Sequence, residues 1–459
     1  MGYRVARLMA LWAFASAVTY ASAADVSVAQ YVETVNGHSA RANISADGRF
    51  VAFDSYATNL VAGDKSQTNR VLVHDRSTGT TNVVNATGGG APANGHSVSA
   101  VLTADGRHVA FASDATNLVP EDTNLFRDIF VRDLHTGKTE RVSVHSDGSQ
   151  AMNGHSSSPS ISADGRFVAF QSAAINLVGG DTNGLIDIFV HDRQTGATIR
   201  ANVSTERYQA FGGQSHHPSI SADGRYVAFV SEATNLVPGD TNKFADIFVH
   251  DRVKRTTERV SVASGGAQAV GGDCTQPSIS ADGRYVAFAS EATNLVPGDT
   301  NGVIDLFVHD RITGATTRVN VATGGAQAAG GHSFYPSISA DGRFVAFVSD
   351  ATNLVPKDTN NSWDIFVHDR VKGATQRVSV ASGGAQADAG SARPSISADG
   401  RYVAFESGAM NLLPDDTNNV VDVFVHDREA NKTTRVSVMT DDTARKRAKE
   451  PESKGERKP

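Results

Sequence analysis

"ISADGRYVAFASEATNLVPGDTNGVIDLFVHDR" occupies residues 279–311, and close copies of it run along most of a chain of 459 residues. Within it, Ala-Asp-Gly-Arg joins two apolar runs. An Asp side chain in this setting folds forward onto the backbone and Gly283 accepts a positive φ without steric cost, so the tetrapeptide is a tight turn between antiparallel strands. The Asp of the turn recurs at Asp47, Asp105, Asp164, Asp223, Asp282, Asp341 and Asp399, a spacing of 58 or 59 residues. Tandem copies at that spacing leave no room for a separate domain between them.

Each copy holds four short apolar runs. In the quoted copy they are "PSIS" from Pro277, "YVAFAS" from Tyr285, "DLFVHD" from Asp305 and "TTRVNV" from Thr316. Val, Ile, Phe and Thr dominate them, Gly, Asp, Asn and Pro separate them, and none has the length of a helix, so they read as strands. A second turn, around Gly314, joins the third to the fourth. Strands with apolar residues on both faces need cover on both sides, which a neighbouring sheet on each side provides. The expected fold is therefore all-β: a seven-bladed β-propeller of four-stranded antiparallel blades over residues 24–439, its edges protected by ring closure. "DVSVAQ" at Asp25 matches the fourth run of the copies ("RVSVAS" at Arg259 and at Arg377), so it competes with the last copy's own "TTRVSVM" from Thr433 for the outer strand of the last blade.

"SADGRFVAF" at residues 45–53 and its copies resemble the TolB-type, WD40-like propeller repeat, in which a Ser-Pro-Asp-Gly turn precedes a strand ending in Ala-Phe. The resemblance covers about residues 41–439. It implies the propeller fold and a binding module or scaffold for a protein, a peptide or an envelope glycan, since this propeller serves as a module in very different proteins. TolB carries an α/β domain before its propeller and related peptidases carry a hydrolase domain. Neither is expected here, and no G-x-S-x-G nucleophile motif occurs in the sequence.

Residues 1–23 read as a signal peptide: Arg4 and Arg7 precede an apolar run, and Ala21-Ser22-Ala23 has the small-residue pattern of a cleavage site. The expectation is a periplasmic or secreted protein with no membrane span once the signal is removed. Cys274 is the single cysteine, which excludes an internal disulfide in a monomer. The net charge of −7 is spread along the chain without a basic stripe, which argues against a nucleic-acid partner. Residues 440–459, "TDDTARKRAKEPESKGERKP", mix charges with almost no apolar residue and read as a disordered tail.

In an up-and-down blade the short Ala-Asp-Gly-Arg and Thr-Gly turns gather on one face of the ring and the long links on the other. Long loops on a rigid scaffold are the usual seat of binding. One position in the link entering each innermost strand holds His38, His96, His155, Gln214, Asp273, His332 and Ser391. If these side chains point inward they crowd the mouth of the central channel, where imidazole and carboxylate groups suit a ligand; backbone hydrogen bonding within the loop is the alternative. The same cluster, His96, His155 and Asp273 above all, is what a polysaccharide lyase or hydrolase would use for acid–base work.

Two further sets recur. Asp-Thr-Asn followed by Asp, as in Asp299, Asn301 and Asp305, echoes the start of a calcium loop without its closing Glu; calcium is the one candidate cofactor, and an Asx-type turn capping backbone amides is the alternative. In the third copy from the end, His309, Asp310 and Arg311 of "HDR" adjoin the short turn, where pairing with Asp282 and Arg284 would make them structural. Tyr208, Phe211, Phe334, Tyr335 and Trp363 are the aromatic residues of the long loops.

Overall fold

The computed structural model describes residues 35–62, 66 and 68–439. The signal peptide, the run at Asp25 and the charged tail lie outside the described residues. Within them the strands form seven four-stranded antiparallel sheets, each ordered as the chain runs, from Ser39–Ile44 in blade one to Lys432–Arg435 in blade seven. No helix among the described residues is long and apolar enough to cross a membrane.

Blade five shows how the repeat builds a sheet. Its strands are Cys274–Ile279, Tyr285–Ser290, Asp305–Asp310 and Ala315–Arg318. In the first turn Asp282 accepts the Arg284 N–H at 2.9 Å and the Ser280 hydroxyl at 2.6 Å, and Gly283 has φ 72°. Phe288 and Phe307 lie opposite each other on the second and third strands, with ring centroids 5.9 Å apart. Their sheet faces do not stand alone. Ala287, Leu306 and Val308 pack against Val345, Phe347 and Phe366 of blade six. The pattern closes on itself, for Ala404, Val423 and Val425 of blade seven pack against Val51, Phe53 and Leu72 of blade one.

Closure is also written in the backbone at the short-turn end of the channel. Each turn alanine donates its N–H to the turn alanine of the next blade: Ala46 to Ala104 at 3.1 Å, Ala104 to Ala163 at 3.3 Å, Ala163 to Ala222 at 2.9 Å, and Ala222, Ala281 and Ala340 onward at 3.0 Å each. Ala398 donates to Ala46, also at 3.0 Å, and completes the circle.

Two details differ from the sequence reading, and a third fills a place that reading leaves open. The innermost strand of blade five begins three residues before Pro277, because a β-bulge at Gln276, with φ 56°, interrupts the alternation that the sequence offers. The fourth strand ends at Arg318, after which the chain turns back in a hairpin bridged by Val321 and Gln327. In the last blade the C-terminal run takes the fourth place: Ser437 donates to Asp422 at 2.6 Å, as Ser379 does to Asp364 at 2.5 Å one blade earlier.

Candidate binding site at the channel mouth

Five of the link residues singled out from the sequence are inter-blade latches. His38 Nδ1 accepts the Val421 N–H at 3.0 Å, His96 that of Asn69 at 3.0 Å, His155 that of Arg127 at 2.9 Å and His332 that of Ile304 at 3.1 Å. Asp273 does the same for Ala245 at 2.9 Å. Each thereby satisfies an amide just before the third strand of the preceding blade, so backbone hydrogen bonding occupies one nitrogen of each of these imidazoles. Gln214 is exposed, with no side-chain hydrogen bond among the described residues. Ser391 does not belong to the set. The last blade is one residue shorter, and Ser391 sits buried on the innermost strand, its hydroxyl 2.9 Å from that of Ser407. The ring position is Gly390.

Two of these residues, His38 and His96, share a hollow of about 480 Å³ with Ala40, Arg41, Asp54, Tyr56, Asn69, Val98, Arg127 and Arg393. The hollow belongs to blades seven, one and two and opens on the long-loop side. Its floor is acidic and its rim is basic. Asp54 is almost wholly buried, accepts from Arg41 at 3.1 Å and from the Ser99 N–H at 3.1 Å, and has no hydrogen-bond partner for its Oδ1 among the described residues. Burial outweighs these bonds and pushes the Asp54 carboxyl up to about 6. The Arg41 side chain stays 42% exposed and commits one nitrogen to Asp54; Arg393 reaches Glu406 only at 3.7 Å. Arg127 forks onto Asp114 at 2.9 and 2.7 Å. A guanidinium has five N–H donors, so Arg41 and Arg393 keep most of theirs for a carboxylate or another acceptor-rich group. Tyr56 meets the His96 ring edge-on at 6.2 Å and supplies an apolar wall.

The channel wall carries a feature the sequence reading missed. In every innermost strand the third residue is a bulge with positive φ: Arg41, Ser99, Ser158, His217, Gln276, Tyr335 and Arg393, between 49° and 59°. None is glycine, and such residues rarely occupy that region. The signal was present, because these are the places where otherwise faithful copies disagree.

Among the described residues no three His, Cys, Asp or Glu side chains gather closely enough to hold a metal ion. The Asp-Thr-Asn loops bind a cation of the protein's own. Arg318 Nη1 lies 3.2 Å from Asp299 and 3.0 Å from Asp305, and Arg200 lies 3.0 Å from both Asp181 and Asp187. The Asn makes an Asx turn, as where Asn124 accepts the Phe126 N–H at 2.9 Å, and the first carboxylate of the loop serves both partners: Asp122 takes the backbone N–H of Asn124 and faces Arg141 at 2.8 Å. Blade one exchanges the parts: a buried Arg70 stands at the Asp position and Val83 at the Arg position.

The "HDR" residues are structural. Arg284 forks onto Asp310 at 2.9 and 2.7 Å, and His309 Nδ1 lies 2.9 Å from the Thr316 hydroxyl. Arg311 reaches the Gly283 carbonyl and covers the Tyr226 ring of the preceding blade at 4.2 Å, in place of the Asp282 pairing expected from the sequence. Burial holds the His250 and His368 imidazoles down at about 4, so they are neutral near pH 7. Cys274 is fully buried beside Ser290, its thiol pushed up to about 12 by burial. Phe334, Tyr335 and Trp363 pack on the core between blades six and seven, whereas Tyr208 and Phe211 are 69% and 72% exposed.

No family model and no curated protein sequence matches the chain. Solved structures do. An oligogalacturonate lyase in complex with manganese is similar over 85% of this chain and 90% of its own, with a TM-score of 0.50 and 13% identity. A prolyl endopeptidase is similar over 87% of this chain, with a TM-score of 0.53 and 11% identity. TolB from Acinetobacter baumannii matches 74% of the chain at 16% identity, with a TM-score of 0.39. This chain spans 63% of the length of that TolB and 50% of that endopeptidase. At these identities the likeness is one of fold, and the propeller expected from the repeat is the fold observed.

Proposed function

We propose that this chain is an exported, non-enzymatic propeller, periplasmic or secreted, that binds a protein, peptide or envelope glycan at the mouth of its channel. The observation that carries this reading is the break in symmetry at blades seven, one and two. The Arg–Asp fork beside the short turn repeats in all seven blades, whereas among the described residues only this sector sets Arg41 and Arg393 around a hollow with a buried carboxyl. The ligand that fits presents a carboxylate or a dense set of acceptors to the two guanidiniums and an apolar edge to Tyr56. The test is a binding screen of acidic and neutral oligosaccharides and acidic peptides against the full chain and its Arg41→Ala/Arg393→Ala variant. Acidic probes should bind the parent in a salt-dependent way and bind the variant at least tenfold more weakly; equal binding by both would remove the mouth as the site.

A second reading has one observation in its favour. The Asp54 carboxyl, near 6, sits in the same hollow as Tyr56 and His38, a setting in which a carboxyl can exchange protons at neutral pH. A polysaccharide lyase or hydrolase built on it would turn over at least one polysaccharide in a broad product screen, and Asp54→Asn would abolish that turnover. Absence of product across the screen would retire it.

A further inference from the structure

The long-loop face is polarised in a second way. One position in the link into each blade sits beside the loop that follows the second strand. In blades one and two it is Asn36 and Asn94, whose amides donate to the hydroxyls of Thr58 at 2.8 Å and Thr116 at 2.9 Å. In blades three, four and five it is Met152, Phe211 and Val270, which are 54%, 72% and 53% exposed. Blade three replaces the threonine as well, so that a hydrogen-bonded Asn–Thr pair becomes an exposed Met152–Ile175 pair held only by the Ile175 N–H to the Met152 carbonyl at 3.3 Å.

The hairpin into blade four departs further. At its tip the other five hairpins place Gly90, Gly148, Gly266, Gly325 and Gly384, with φ between 83° and 92°, whereas this one has Arg207 with φ 70°. The next residue is Tyr208, 69% exposed, where the other hairpins carry Ala or Ser. Neither change helps the scaffold. The tip keeps its hydrogen bonds, Arg207 N–H to Ser204 and Ser204 N–H to Tyr208, both 2.9 Å, but now in a backbone region that non-glycine residues seldom adopt. Tyr, Phe, Met and Arg are the side chains that anchor protein interfaces. Rings this exposed stand out from the surface, where a small ligand has no walls to fill and a protein surface does.

We infer that the partner is a protein, which rests an apolar surface on Met152, Ile175, Tyr208, Phe211 and Val270 and carries carboxylates toward Arg207 at the hairpin tip and Arg41 and Arg393 at the mouth. The mouth half of this contact rests on the function proposed above; the apolar arc stands on its own observations. The face joins an apolar arc to an arginine rim, so the complementary surface is apolar with acidic residues at its border.

The test starts from a displayed library of random peptides selected on the immobilised full chain, with the enriched sequences synthesised and titrated calorimetrically. Enriched peptides should combine Asp or Glu with Leu, Phe or Trp. Their affinity should fall at least tenfold for Tyr208→Ser/Phe211→Ser and stay within twofold for Ile312→Ser/Val371→Ser on the opposite face, with thermal melts of both variants matching the parent. A loss for Tyr208→Ser/Phe211→Ser with none for Arg41→Ala/Arg393→Ala would keep the arc and overturn the mouth. Failure to enrich any peptide, or enrichment of peptides indifferent to Tyr208→Ser/Phe211→Ser, would overturn the protein-docking arc.

Discussion

The carboxylate of Asp54 leaves its own blade: its Oδ2 accepts the backbone N–H of Ser99, the bulged residue of the innermost strand of blade two, at 3.1 Å. Glu406 does the same for Arg41 at 2.7 Å and Gln171 for His217 at 2.9 Å, while the other blades have Ala112, Val230, Ala289 and Val348 at this position. The wall of the channel is therefore where a repetitive chain becomes individual. Polar side chains cross the junctions there to hold bulges whose N–H groups have left the strand ladder.

The first consequence concerns pH. Burial raises the Asp54 carboxyl from its ordinary value to about 6, so the folded chain holds this proton more tightly than the unfolded chain. Stability contributed by this group is then highest at acid pH and falls as the pH rises from roughly 4 to roughly 6, staying lower above that. Asp54→Asn keeps an acceptor for Ser99 and removes the buried charge. Urea titrations should find the variant more stable than the parent by roughly 1–3 kcal/mol at pH 7.5 and equal to it near pH 4. A difference independent of pH would contradict the assignment.

The loop arginines give a second prediction. Arg200 bridges Asp181 and Asp187, whose side chains are 3% and 0% exposed, so Arg200→Met leaves two buried carboxylates facing each other. Removing one partner of a buried ion pair costs about 3–5 kcal/mol, and the melting temperature should fall accordingly. Because arginine already fills the place between the carboxylates, excess EDTA should leave the melt of the parent unchanged. A drop in EDTA that added calcium reverses would show that a metal shares these loops.

Two glycines with the same backbone conformation separate packing from strain. Gly283 and Gly314 have φ of 72° and 70°. A Cβ at Gly314 meets nothing within 4 Å, whereas one at Gly283 would run into the Tyr226 ring of the preceding blade. Gly314→Ala should cost about 1–2 kcal/mol, the left-handed penalty alone. Gly283→Ala should cost at least about 2 kcal/mol more, since the tyrosine is sandwiched between blades and cannot retreat freely. Equal losses in chemical denaturation would mean that the blades do not press on each other there.

Much of this architecture was legible from residue types. Asp282 and Gly283 announce a turn by their side-chain chemistry, and "YVAFAS" announces a strand covered on both faces, so blade number and strand order follow from counting. The bulge at Gln276 carries no Gly or Pro to mark it, and its one signal is that the residue type there differs from blade to blade. At the mouth, His38 and His96 were found by following one position around the ring, but that position turned out to serve backbone amides. Asp54, Arg41 and Arg393 stand out only when the same position is compared across the copies. A carboxylate at Asp54, where a sister strand carries Val230, was the available signal. The loop carboxylates suggested calcium because Arg200 lies 13 residues beyond Asp187 in sequence, and only the pairing of the third and fourth strands brings them together.

A shared mouth exists only if the ring is closed, and one amide reports on closure directly. The Ala398 N–H has Ala46 O as its acceptor, at 3.0 Å, and these residues meet only if blade seven packs on blade one. Hydrogen exchange resolved at this amide should show protection within about tenfold of that at Ala281 and Ala340, whose acceptors lie in the next blade along the chain. Exchange of Ala398 near the rate of an unprotected amide, with Ala281 and Ala340 still protected, would mean an open stack of sheets and no shared mouth.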